Sequence, residues 1–117
     1  MLRIEAIEVP ETVLWRLPPS KSHMIRWLVL AAQSNGITEL VFEGVPGEDI
    51  GSMASCLEMM GVEIGRGEGS WIVRGAEGGL SIPDRDLDCG NSGTTARIVT
   101  AIAAGMHLPV SIDGDDS

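Results

Sequence analysis

Positive charge is scarce in this chain. Lysine occurs once, at Lys21, and Lys plus Arg total 8 against 17 Asp plus Glu, a formal net charge of −9 over 117 residues. Nucleic acids and anionic membranes are bound through basic faces, so neither is an expected partner. Long apolar runs are also missing. The longest, such as residues 27–32, fall far short of the roughly 20 residues that cross a bilayer. No basic segment followed by an apolar stretch opens the sequence, and the two cysteines, Cys56 and Cys89, lack Cys-x-x-Cys spacing. Reduced thiols and a cytoplasmic location are the expectation. His23 and His107 have no second ligand at metal spacing, so no metal is expected. No Gly-x-x-x-x-Gly-Lys precedes Lys21, which argues against a P-loop.

What is present is enough apolar residue, 44% of the chain, for one real core. Alternation marks strands at residues 2–9 and 12–17. Helical rows follow at residues 22–34 (Met24, Leu28, Ala31 beside Ile25, Val29, Ala32) and 49–61 (Ile50, Met53, Leu57, Met60), the second with Asp49 as its expected cap. A third helix spans residues 92–105, with Thr95, Ile98, Val99, Ile102 and Met106 inward. Strands are expected at 37–43, 62–64, 71–74 and 108–112, with a weaker one at 80–82 and a polar turn at 83–88. Gly-rich residues 65–70 join two strands, so they read as a hairpin and not as a dinucleotide loop. Asp84, Asp86 and Asp88 open like a calcium loop, but Cys89 and Thr95 stand where its glycine and glutamate belong. The order β-β-α-β-α-β-β-(β)-α-β defines an α/β chain with helices packed on sheets.

Two stretches rhyme. Pro18 and Pro19 hold the chain extended before a helix whose cap is Ser20 or Ser22. Helix N-termini expose unpaired N–H groups that favour anions, and Lys21 stands at this one. Ser22 and Arg26 lie four apart on one face, so hydroxyl, ammonium and guanidinium can converge on a phosphate-sized spot. Later, Gly90, Asn91, Ser92, Gly93, Thr94 and Thr95 surround another helix start, with Arg97 one turn in. Gly90 and Gly93 leave the backbone approachable. A helix end offers an anion only about 0.3–1 kcal/mol, but charged hydrogen bonds add about 1.5–3 kcal/mol each. Two such ends suit ligands carrying two anionic groups.

These two motifs, in order and about seventy residues apart, closely resemble the enolpyruvyl transferases, in the branch that acts on shikimate 3-phosphate. The resemblance implies an α/β fold of βαβαββ-type units, an inside-out α/β barrel that this length leaves incomplete. It implies transfer of the enolpyruvyl group of phosphoenolpyruvate to the 5-hydroxyl of shikimate 3-phosphate, with these two as small-molecule substrates and no cofactor. By the same resemblance Lys21 touches both substrates and is catalytic, Ser22 and Arg26 bind shikimate 3-phosphate, and Asn91, Gly93 and Thr94 line the phosphoenolpyruvate pocket, where glyphosate also binds. Arg97 receives no contact. Family members are much longer, so the chain reads as a piece inactive alone. Residues 1–20 are then expected to be strands that pack with a second domain, residues 21–117 to be part of the first domain, and uncovered strands to favour self-association. Two alternatives stay open: a UDP-N-acetylglucosamine enolpyruvyl transferase, or a non-catalytic anion-binding or RNA-end-processing module.

Overall fold

In the computed structural model, the structure describes residues 12, 14, 16–77, 79–106 and 109–116. Its elements are α1 (Lys21–Gln33), β1 (Ile37–Val41), α2 (Glu48–Met59), β2 (Glu63–Arg66), β3 (Ser70–Arg74), β4 (Leu87–Asp88), α3 (Gly93–Ala104) and β5 (Ile112–Asp113). The sheet order β1-β3-β2 is antiparallel throughout, with Leu40 opposite Trp71 and Ile64 opposite Val73. Strands β1 and β2 therefore run parallel on either side of β3, joined by α2, which is a split β-α-β arrangement. A second, smaller crossover joins the parallel pair β4 and β5 through α3. Helix α2 packs against both α1 and α3.

One core serves all of these elements. Met24, Ile25, Leu28, Ala31 and Ala32 of α1 meet Ile50, Met53, Ala54 and Leu57 of α2, and Leu40, Trp71 and Val73 close it from the sheet. Fully burying one such aliphatic side chain stabilises the fold by about 1.5–3 kcal/mol. The expected rows of α1 and α2 are the buried rows, except that Val29 is half-buried. In α3 only Thr95 and Val99 are fully buried, while Ile98, Ile102 and Met106 are half-covered. The Gly-rich link is the hairpin between β2 and β3, with Gly67 N–H donating to Ser70 O at 3.0 Å.

Several expectations are corrected. Residues 2–9 lie outside the described residues. For the expected strand 12–17, the described members Thr12, Leu14, Arg16 and Leu17 belong to no strand, because no described segment pairs with them. Residues 80–82 form no strand either; Ser81 N–H donates to Met60 O at 2.8 Å as an isolated bond. The polar turn 83–88 ends in β4, where Leu87 is buried and its N–H reaches Ser111 O at 2.9 Å. Of the expected strand 108–112, residue 108 lies outside the described residues and residues 109–111 belong to no strand; the last strand is β5, which takes its register from its pairing with β4.

Glycine is forced at the junction of α1 and the sheet. A Cβ on Gly75 would lie 1.9 Å from Ser34 O, whereas one on Gly51, inside α2, would meet nothing within 4 Å. Gly75→Ala should lower stability by roughly 1–3 kcal/mol or more through overpacking, and Gly51→Ala should raise it by about 0.5–1 kcal/mol through helix propensity. Thermal melts of the two variants check this; equal midpoints would contradict the packing at Ser34.

Candidate functional site

Pro18 and Pro19 lack the N–H that a helix interior needs, so α1 starts immediately after them, at Lys21. Ser20 is its N-cap residue, yet the serine side chain makes no capping bond. Helix α2 starts after Gly47, also with no side-chain cap, and Asp49 lies inside its first turn, not at the expected cap position. Helix α3 is capped by Ser92, whose Oγ accepts from Thr95 N–H at 3.2 Å and donates to Thr95 Oγ1 at 2.8 Å. Helices α2 and α3 each follow the carboxyl end of a strand, β1 and β4, which is where α/β folds hold ligands.

The three helix starts are linked by Asp49. Lys21 Nζ lies 2.9 Å from Asp49 Oδ2. Thr95 Oγ1 donates to Asp49 O at 3.3 Å, which ties the start of α3 to that of α2. The Lys21 ammonium, hydrogen-bonded to its carboxylate, holds the Asp49 carboxyl below its ordinary range, while partial burial pushes the other way.

On α1 the expected pair is present: Arg26 Nη1 donates to Ser22 Oγ at 2.6 Å and to Ser22 O at 2.8 Å. Lys21 does not complete a three-way convergence with them, because its ammonium is turned to Asp49. Asn91 and Gly93 are exposed and Thr94 is half-buried, on either side of the buried Ser92. A Cβ on Gly93 would lie 3.5 Å from Arg97 Nη1, so that guanidinium rests at the first turn of α3. Gly90 has a second requirement besides openness: its φ is +53°, and a Cβ there would lie 3.0 Å from Ser52 Oγ. Its glycine serves close packing against α2.

Other candidates fall away. No group of His, Cys, Asp and Glu able to hold a metal occurs among the described residues. Asp88 Oδ1 instead accepts from Gly90 N–H at 2.8 Å, closing a turn. His23 is exposed and His107 lies outside the described residues. Both cysteines are buried thiols; burial pushes the Cys56 thiol up to about 12, so it is no nucleophile at neutral pH. An open groove of ≈ 1090 Å³ lies between α1 and α3, lined by Val29, Ala32, Leu80, Ile98, Ile102 and Met106. It shares Arg97 with the region of the site but none of its other candidate residues. Sequence reading missed Asp49 as a site residue; the family resemblance extends through its helix start, but an acid near the start of a helix is what any helix accepts.

An α/β chain whose uncapped and Gly-rich helix starts gather a lysine, an arginine and hydroxyls has the makings of a protein that grips anionic small molecules. The family model for EPSP synthase (3-phosphoshikimate 1-carboxyvinyltransferase) matches residues 8–117. The chain belongs to this family. It is 44% identical over 101 residues to the 3-phosphoshikimate 1-carboxyvinyltransferase of Methanococcus maripaludis strain S2, covering 86% of this chain and 23% of that protein. It is 39% identical over 102 residues to the one from Halobacterium salinarum strain R1, covering 87% of this chain and 24% of the relative. Among solved structures, EPSP synthase from Acinetobacter baumannii superposes with a TM-score of 0.79 at 28% identity, over 88% of this chain and 24% of that one. The chain thus spans about a quarter of the length of the relatives it matches. The superposition agrees with the expected partial α/β fold, which among the described residues has two small sheets and no closed barrel.

The depressed Asp49 carboxyl has a pH consequence. A group whose pKa falls on folding contributes stability that is present above its unfolded value and is lost as pH drops through its folded value. Asp49→Asn should therefore lower the melting midpoint slightly at neutral pH, the pair being exposed enough to be worth about 0–1 kcal/mol. That deficit should vanish in acid below the ordinary carboxylate range, as parallel melts of both proteins from neutral to acid pH will show.

Proposed function

We propose that the chain forms part of the first domain of a 3-phosphoshikimate 1-carboxyvinyltransferase, which moves the enolpyruvyl group of phosphoenolpyruvate to the 5-hydroxyl of shikimate 3-phosphate. The observation that carries this is the joining of the two family motifs through Asp49, which brings the starts of α1 and α3 to one end of α2. In this reading Ser22 and Arg26 hold the phosphate of shikimate 3-phosphate, and Lys21 contacts both substrates. Asn91, Gly93 and Thr94 border phosphoenolpyruvate, and glyphosate would compete there. The reaction passes through a tetrahedral intermediate with release of phosphate. This chain's part is to bind and orient anions, while further groups come from the rest of the relatives' length. No helix among the described residues is long and apolar enough to cross a membrane, which fits action on small soluble substrates in the cytoplasm.

An NMR titration with shikimate 3-phosphate should shift the amides of Lys21, Ser22 and Arg26 selectively. In the full-length enzyme, Lys21→Ala or Arg26→Ala should cut turnover about 10²-fold or more. Arg66→Ala should not, since Arg66 pairs with Glu58 and lies over Trp71 on the hairpin. Near-normal turnover in the Lys21 variant would refute the assignment.

We also propose that the isolated chain self-associates. Ile37, Val41 and Ile72 are exposed on the sheet, and Trp27 and Leu30 on α1; apolar surface and unpaired strand edges of this kind favour association. Light scattering across a concentration series should show growth beyond the monomer, and a monodisperse monomer at high concentration would contradict it.

A further inference from the structure

Asp49 is a costly residue to place beside an anion site, because its charge repels the ligand that Lys21 attracts. Yet its carboxylate lies 2.9 Å from the chain's only lysine, and its own carbonyl accepts from Thr95 Oγ1 at 3.3 Å. Thr95 is buried, and its hydroxyl also receives the Ser92 hydroxyl proton at 2.8 Å. The backbone of Asp49 is thus anchored to the start of α3 while its side chain reaches the start of α1. A lysine side chain has four rotatable bonds, and one with 59% of its side chain exposed has much rotamer freedom to lose.

From this geometry we infer that Asp49 is the positioning residue of Lys21. It pre-orders the ammonium between the helix starts, and its negative charge cancels that of Lys21 toward an incoming anion. Net attraction then falls to the helix ends and to Arg26. That guanidinium spends Nη1 on Ser22 and, among the described residues, keeps Nη2 and Nε for a ligand. Lys21 is released to the ligand only when an anion arrives that outcompetes Asp49. The ordering of Lys21 stands on the geometry alone; its consequence for anions rests on the function proposed above.

The single lysine makes the test direct. In chain labelled with ¹³C,¹⁵N-lysine, Lys21 gives one spin system. At neutral pH without ligand its two Hε protons should be inequivalent and its Cε relaxation that of a restrained group. Asp49→Asn should collapse both toward free-lysine values, and Asp49→Glu should restore them in part. Inorganic phosphate, titrated into the same samples, should bind Asp49→Asn about fivefold more tightly than the unmodified chain, because a neighbouring negative charge is gone. A residue that merely supported the fold would give the opposite sign. Free-lysine averaging in the unmodified chain overturns the inference without any variant. So does an unchanged Lys21 in a folded Asp49→Asn chain, or weaker phosphate binding by it. An ordered lysine released by Asp49→Asn, with phosphate bound by neither protein, would uphold the positioning role and refute the anion-site reading.

Discussion

Three helix N-termini packed around one acidic residue form the constraint on which the site depends. Each helix start carries about half a positive charge on unpaired N–H groups. Packing α1 and α3 against α2 brings such ends together, and Lys21 adds a full charge. Asp49 answers all of them from within the first turn of α2. As glue the exposed pair with Lys21 is weak, about 0–1 kcal/mol, less than burial of one core leucine at roughly 1.5–3 kcal/mol. The apolar core therefore holds the helices, and the ion pair decides where one flexible side chain points.

The core reaches close to every polar group that matters. Met24 and Ile25 are buried one turn beyond Lys21 and just before Arg26, Ile50 is buried next to Asp49, and Thr95 and Val99 are buried one and two turns beyond Ser92. With a rise of about 1.5 Å per residue, an anchor one turn away fixes a helix start to within the play of a side chain. Gly75 sets the other end of α1: its N–H donates to Gly36 O at 2.8 Å, and only hydrogen fits against Ser34 O. Helix α1 is thereby pinned at both ends.

What was legible in the sequence followed a period. The rows of α1 and α2 repeat every three to four residues and were the buried rows except at half-buried Val29, and the spacing of Ser22 and Arg26 put them on one helix face, where the two are hydrogen-bonded to each other. The hairpin was marked by Gly67 and Gly69 between two apolar strands. Illegible features were contacts across long separations without a period. Strand β4 is two residues long and exists only because β5 pairs with it, so Leu87 among acids read as a turn. Asp49 read as a local cap, yet its partner is Lys21, across the intervening β1. Cys56 and Cys89 looked unrelated, but Cys56 Sγ reaches Asp88 O at 3.3 Å, beside the other buried thiol.

Choice of cation completes the physical account. Arg66 and Arg74 pair at the surface with Glu58 and Glu63, each through one nitrogen and one carboxylate oxygen. In the proposed reading the one lysine stands where the partner must change. Its compact ammonium has three donors that reorient about a flexible stem, so it can leave Asp49 for a ligand oxygen without the loss of a bidentate geometry. Beyond a Debye length of about 8 Å at physiological salt, an approaching anion feels little of the net charge of −9. Inside that distance it meets helix N–H groups, Arg26 and a lysine already held in place. In the proposed reading, a ligand with two anionic groups can engage more than one of those ends, whereas a single phosphate must displace Asp49 with fewer contacts in return.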